Sequence, residues 1–230
     1  MPKPTAEYFA RLGALVAIDN AADRPTRSVL EAFSGVEMAT IPVATADDLE
    51  KAVARARSAQ EGWAKRTPAQ RAEVLAAFSE LVYANAQELM DIAQAETGKA
   101  RAYAQEEVLD VALTARHYAT AGPKLLADRK VKGMLPGATS VRVRYQPKGV
   151  VGVISPWNYP LTLAASDAVA ALLAGNAVVI KPDSQTPYCA LAVAELLYRA
   201  GLPQELFAVV PGPGSVVGQA IVAQTDYVMF

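Results

Sequence analysis

Residues 149–160, GVVGVISPWNYP, decide the fold. Val150, Val151, Val153 and Ile154 are β-branched and nearly continuous, the pattern of a short strand buried on both faces. The run breaks at Ser155-Pro156, because proline cannot donate to a ladder and biases the preceding residue towards an extended conformation. After Pro160 the pattern turns helical, with Leu161, Leu163, Ala164, Ala168, Ala171 and Leu172 on one apolar face. Strand, irregular loop and apolar helix make the first half of a βαβ unit. In open α/β sheets ligands bind at the carboxyl ends of the strands. Here that loop sets an indole, Trp157, beside a carboxamide, Asn158, and is a candidate site. The alternative is a hydrophobic plug followed by a helix cap.

Downstream the order is regular. The helix over 160–174 stops at Gly175-Asn176, and a strand follows over 177–181. Pro182 to Pro187 leads into a helix over 187–200, broken by Gly201-Leu202-Pro203. A strand over 206–210 runs into Pro211-Gly212-Pro213-Gly214, then a helix over 215–223 and a last strand over 227–230. This β-α-β-α-β-α-β order calls for a doubly wound parallel sheet with helical crossovers.

Upstream the texture is helical. A short amphipathic helix is predicted over 5–18 with Thr5 as its cap, and 19–37 reads as polar and irregular. A strand candidate covers 38–44. Thr45 with Asp47 and Asp48 opens a helix that runs to about Trp63. Further helices are expected over 68–84, 86–96 and 101–121, the last ended by Gly122-Pro123. Residues 139–145, TSVRVRY, alternate as a half-exposed strand with Val141, Val143 and Tyr145 on one face. The chain thus divides into a helical part over 1–128, a segment with a half-exposed strand over 129–148 and a βαβ part over 149–230.

Composition narrows the function. The 230 residues are 52% hydrophobic with a net charge of −1, so no global field attracts nucleic acid or an anionic membrane. No apolar run reaches the ~18 residues of a membrane span, and MPKPTAEYFARLG has no apolar signal core. A single cysteine, Cys189, excludes an internal disulfide or multi-Cys metal site and fits a reducing, cytoplasmic setting. Among apolar neighbours in TPYCALAVAELL it reads as a small hydrophobe. The single histidine, His117, has no partner in the pattern and reads as a structural or surface residue. No metal site is expected. Glu106 and Glu107 are adjacent on a predicted helix, point apart, and read as a solvated face.

The segments YQPKGVVGVISPWNYPL, ALLAGNAVVIKPDSQTP, AELLYRAGLP and VVPGPG, in that order and spacing, closely resemble the aldehyde dehydrogenase superfamily, and within it the succinate-semialdehyde dehydrogenases. WAKRTPAQRAEVL and QAETGKAR extend the likeness to the helical front half. The resemblance implies a Rossmann-like cofactor-binding domain and a homo-oligomer whose arm is the 129–148 hairpin. It also implies oxidation of a small aldehyde, succinate semialdehyde or similar, to the acid.

Residue by residue, Asn158 matches the family's oxyanion-hole asparagine, whose N–H stabilises the oxygen that becomes negative when a thiolate adds to the aldehyde. A helix N-cap before 160–174 is its alternative role. Ile154, Ser155, Pro156 and Trp157 match the wall against the cofactor, with a core aromatic as the alternative for Trp157. Lys181 resembles the lysine that binds the adenine ribose. Ser184 stands where NAD-preferring members often carry Glu; lacking that charge, it favours NADP, with NAD as the alternative cofactor. Gly212 and Gly214 resemble a tight turn beside the adenine pocket. The pyrophosphate is expected at a helix N-terminus just past Phe230.

The family's nucleophilic cysteine, general-base glutamate and Thr-Gly-Ser turn have no match in these residues. The chain therefore reads as the front part of a longer enzyme, inactive alone and truncated before the catalytic domain. A non-catalytic dinucleotide-binding or subunit-interaction fragment is the alternative. Ser166 occupies the position where several succinate-semialdehyde dehydrogenases carry an arginine for the substrate carboxylate.

Overall fold

A computed structural model describes residues 4–135 and 137–230. Residues 1–3 of the N-terminal stretch and Pro136 of the hairpin lie outside the described residues. Four parallel strands make the central sheet: β5 (Val150–Ile154), β6 (Ala177–Lys181), β7 (Phe207–Val209) and β8 (Tyr227–Met229), with β1 to β4 upstream. Their spatial order is β7-β6-β5-β8. The chain steps outward from β5 to β6 to β7, then returns across the sheet to pair β8 with the other side of β5. That reversal is a topological switch point, the place outside the strands' carboxyl ends where open α/β sheets bind ligands.

Three helices make the crossovers: α6 (Pro160–Leu173), α7 (Pro187–Arg199) and α8 (Gln219–Gln224). α6 and α7 pack on each other, while α8 packs on α2 (Ala46–Lys65), as right-handed crossovers in opposite directions require. β5 and β6 are buried along almost their whole length, which is why both read as continuous β-branched runs. Gly152 in β5 admits α8: a Cβ there would lie 2.4 Å from Ile221 Cγ2.

The remaining helices, α3 (Pro68–Ala84), α4 (Ala86–Thr97) and α5 (Arg101–Leu125), cover α6 and α7. Polar side chains of this front half satisfy the backbone of the crossovers. At the end of α6, Trp63 Nε1 donates to Leu172 O at 2.8 Å, Arg71 Nε to Leu173 O at 2.7 Å and Gln60 Nε2 to Gly175 O at 2.9 Å. Leu172 O also accepts from Gly175 N at 3.0 Å, whereas a carbonyl at a helix end that is buried without any partner would cost about 1–3 kcal/mol. The motif WAKRTPAQR thus serves the α6–β6 turn. One hydrophobic core runs from Phe9 through both halves to Ile221.

Several elements differ from the sequence expectation. α1 (Ala6–Gly13) is capped by Thr5, whose hydroxyl accepts from Tyr8 N, but it ends early. Beyond it, Val16 bridges Val209 and Ala17 N donates to Val209 O at 2.8 Å, so sheet pairing claims residues expected to be helical. The stretch 19–37, expected to be irregular, holds β1 (Thr26–Leu30), paired antiparallel with β2 (Glu37–Pro42). α5 continues past Gly122 to Leu125, since Gly122 serves close packing rather than a stop: a Cβ there would overlap Leu173 Cδ2 at 1.9 Å. The turn expected to open a helix at 215 begins as a π-helical turn over Gly214–Gly218. The hairpin over 129–148 is present as β3 (Arg129–Val131) and β4 (Val141–Val143), antiparallel and separate from the main sheet. No described helix is long and apolar enough to cross a membrane.

Candidate functional site

The carboxyl ends of β5, β6 and β7 share one edge of the sheet, and each leads into a loop that carries sequence-predicted site residues. Ile154 pairs with Lys181 in register, and Ser155 N donates to Lys181 O at 3.1 Å, so the loops after β5 and β6 leave side by side. Ser155 is buried, whereas Pro156, Trp157, Asn158 and Tyr159 are exposed at the switch point. Trp157 is 54% exposed and therefore not a core aromatic among these residues.

Asn158 does not cap α6. The N-cap position is Tyr159, and no side chain of the loop makes the capping bond. The cap comes from α5 instead: Glu107 Oε2 accepts from Leu161 N at 2.9 Å and Thr162 N at 3.2 Å. Glu107 is 1% exposed and pairs through its other oxygen with Lys99 Nζ. The expectation of a solvated Glu106-Glu107 face holds for Glu106 and fails for Glu107, which an orphaned helix end draws inward. Lys99 Nζ also donates to Asn158 O at 2.8 Å and stands 4.7 Å from the centroid of the Tyr159 ring. The Asn158 carboxamide itself forms no hydrogen bond among the described residues and is exposed at the switch point.

Lys181 lies at the end of β6 with 5% exposure, and its Nζ donates to Pro182 O at 2.8 Å. Burial pulls its ammonium below the ordinary value; the Asp183 carboxylate works against this and the Arg27 charge adds to it. Asp183 is itself engaged in the turn, accepting from Gln185 N at 2.9 Å. Arg27 reaches this edge because the β1–β2 hairpin docks there, with Ala44 N donating to Pro211 O at 2.8 Å. Arg27, Ser184, Gly212 and Pro187 line one small cleft. Arg27 makes no ion pair or hydrogen bond among the described residues. Sequence reading passed over it because the strand that presents it has one buried residue, Val29, and no clear alternation.

The two glycines after β7 differ. A Cβ at Gly212 would meet Val217 Cγ2 at 2.4 Å and Ala44 O at 3.1 Å, so only glycine lets the three segments close. Gly214 has open space around it. Cys189 lies in α7, fully buried; burial drives its thiol well above the ordinary value, and the neighbouring Glu96 carboxylate adds to the shift. Ser166 donates to Thr162 O at 2.8 Å within its own helix. Among the described residues no cluster of His, Cys, Asp or Glu could hold a metal ion.

The edge therefore combines an exposed carboxamide on the loop after β5 with a small cleft lined by an unpaired guanidinium and a hydroxyl, near a buried ammonium. A guanidinium and a hydroxyl offer donors to an anionic oxygen, and a carboxamide N–H offers one to an oxygen that develops negative charge.

Comparison with known proteins bears on the same residues. The chain is 61% identical over 230 residues to a Mycolicibacterium smegmatis protein named putative succinate-semialdehyde dehydrogenase, NADP(+). That match takes in 100% of this chain and 44% of the relative. Among solved structures, the succinate-semialdehyde dehydrogenase of Burkholderia pseudomallei superposes with a TM-score of 0.81 at 33% identity, covering 86% of this chain and 40% of that one. An NADP-dependent enzyme of E. coli gives a TM-score of 0.81 at 32% identity, covering 85% of this chain and 40% of that one. The chain thus spans less than half the length of these proteins. The family model for aldehyde dehydrogenases matches residues 19–230, which include every loop of the candidate site, and the chain belongs to the aldehyde dehydrogenase family.

Proposed function

We propose that this chain forms most of the cofactor cleft and the oxyanion site of an NADP-dependent dehydrogenase that oxidises succinate semialdehyde or a similar small aldehyde. The observation that carries the reading is the convergence of Arg27 near the start of β1, Lys181 at the end of β6 and Ser184 in the following loop. Two cations and a hydroxyl, with the nearest carboxylate tied into its own turn, suit a 2′-phosphate. The names of the relatives point the same way.

The residues have separate roles. Lys181 and Ser184 hold the adenine ribose. Gly212 and Gly214 make the turn beside the adenine, and Ile154, Ser155, Pro156 and Trp157 form the wall towards the nicotinamide. Asn158 donates its N–H to the oxygen of the aldehyde as charge builds there. When bound, the dinucleotide accepts the hydride; aldehyde, water and NADP+ give carboxylate, NADPH and protons.

The only cysteine of the 230 residues is buried and poorly ionisable, so the attacking thiolate and its general base are supplied from outside them. Residues 1–128, 129–148 and 149–230 act as helical support, oligomerisation arm and dinucleotide-binding part of one cofactor-binding domain. The separate β3–β4 hairpin, with Val131, Val141 and Tyr145 exposed, suits the arm of a homo-oligomer. A single unpaired thiol suits a reducing, cytoplasmic setting.

The test is calorimetric titration of the protein, expressed from its native reading frame, with NADP+ and NAD+, followed by a turnover assay with succinate semialdehyde. Saturable binding that favours NADP+, and NADPH formation that needs the aldehyde, are expected. Absence of saturable binding to either dinucleotide overturns the reading.

A further inference from the structure

We propose that Lys99, backed by Glu107, is the positioning residue for Asn158. The inference rests on the catalytic reading of Asn158 given above. The loop after β5 carries its one free carboxamide on a backbone that must stay still, because displacement of a reacting donor by an ångström can cost ~10²-fold in rate. At its start the loop is anchored by Ser155 N on Lys181 O. At its far end the Tyr159 carbonyl accepts from Leu163 N at 2.9 Å, and among the described residues no other backbone bond holds Asn158. Pro160 has no N–H, and no loop side chain caps α6.

One ion pair supplies the missing restraint. Glu107 takes the amide hydrogens of Leu161 and Thr162, and Lys99 takes the carbonyl of Asn158 and lies against the Tyr159 ring. Residues 158, 159, 161 and 162 are thereby held from a single point on the helical layer. The pair is shielded: the Lys99 side chain is 11% exposed and that of Glu107 is 0% exposed. Lys99 is in turn placed by Gln94, whose Nε2 donates to Lys99 O at 3.2 Å. The Asn158 carboxamide makes no hydrogen bond among the described residues, so the point from which it projects is set by its backbone, and Lys99 holds that backbone carbonyl.

Removing the lysine alone would strand a buried carboxylate and risk the fold. The test therefore uses K99M/E107Q, in which both charges go and the Gln carbonyl can still receive the α6 amides, beside K99R and N158A. Each variant is made in the protein from its native reading frame. The readouts are kcat, aldehyde KM, the Kd for NADP+, melting temperature, and hydrogen exchange of the 155–162 amides.

In K99M/E107Q we expect kcat to fall about 10- to 100-fold, with KM and Kd within about twofold, melting little changed and faster exchange confined to 156–162. K99R should recover most of the lost kcat. If N158A is damaged while K99M/E107Q keeps wild-type kcat and exchange, the positioning role is overturned and the catalytic reading stands. If N158A itself keeps wild-type kcat, the catalytic reading falls and the proposal with it.

Discussion

Glu96 on α4 accepts the amide hydrogen of Tyr188 at 2.8 Å, and its other oxygen accepts that of Cys189 at 2.8 Å. The N-terminus of α7 is therefore capped from the helical layer, just as Glu107 caps α6. Thr186, the N-cap residue of α7, makes no side-chain capping bond, and its buried hydroxyl oxygen has no partner. Two buried glutamates thus dock the front half onto both crossover helices next to the candidate site.

Full burial pushes the Glu96 carboxyl up to about 8, although the amides of Tyr188 and Cys189 and the Cys189 thiol all favour its charged form. Its folded pKa lies above the ordinary value near 4.5, so the folded protein binds the extra proton between these two values. Stability from this group is complete below 4.5 and declines as pH rises towards 8, by at most ~1.4 kcal/mol per pH unit. E96Q removes that slope. It also turns an N–H towards a backbone N–H, at a cost of about 1–3 kcal/mol where wild-type Glu96 is protonated. Urea denaturation from pH 5 to 9 should show a falling wild-type profile and a flatter one for the variant, lower at pH 5 and with the gap closing as pH rises; parallel profiles would refute the assignment.

Gly149 tests a different restraint. Its φ is +129°, and a Cβ would sit 2.2 Å from Asp226 Oδ2. That carboxylate accepts from Val150 N at 2.7 Å and from Arg57 Nη1 at 2.8 Å, tying β5 to the entry of β8 and to α2. G149A forces this network apart and should cost about 2–4 kcal/mol. Gly35 also has positive φ, +68°, but open space around it, so G35A should cost only about 1 kcal/mol. Equal losses in the two variants would show that the Asp226 contact contributes nothing beyond backbone strain.

What was legible in the sequence follows from how locally each feature is encoded. The β5-loop-α6 unit could be read because β-branched run, proline break and apolar face all lie within consecutive residues. β1 could not, since its one buried side chain, Val29, faces a core assembled from distant segments. Gly122 resembled a helix stop because nothing nearby announces Leu173, the side chain it makes room for. Glu107 was misread for the same reason. A glutamate on a helix is ordinarily solvated, and only the partnerless amides of Leu161 and Thr162, 54 and 55 positions away, draw it inside. Arg27 was missed because the cleft it lines exists only once β1, β6 and the turn after β7 meet.

Cys189 should be chemically silent. It is fully buried in α7, and burial together with the Glu96 charge holds its thiol well above the ordinary value. Peptide mapping after iodoacetamide at pH 8 should leave Cys189 unlabelled in native protein and label it fully in urea. C189A removes a buried sulfur and should cost about 1–2 kcal/mol of stability while leaving turnover unchanged. A loss of activity by two or more orders of magnitude, in a variant that still melts cooperatively, would make this cysteine the nucleophile after all.

Cofactor choice is expected to depend on the cleft shared by Arg27 and Ser184. R27A removes a guanidinium free to form a charge-assisted hydrogen bond with a phosphate, a contact typically worth ~1.5–3 kcal/mol. Its Kd for NADP+ should rise about 10- to 100-fold, while that for NAD+, which has no 2′-phosphate, should change by less than about threefold. S184E places a carboxylate in the same cleft, where it repels a phosphate and accepts from the ribose hydroxyls. It should reverse the preference to NAD+, and K181M should weaken both dinucleotides together, since the ribose is common to them. The comparison of the three variants is more informative than any one. If R27A weakens NADP+ and NAD+ equally, Arg27 supports the hairpin rather than reading the phosphate. If S184E leaves the preference unchanged, the phosphate does not sit in this cleft.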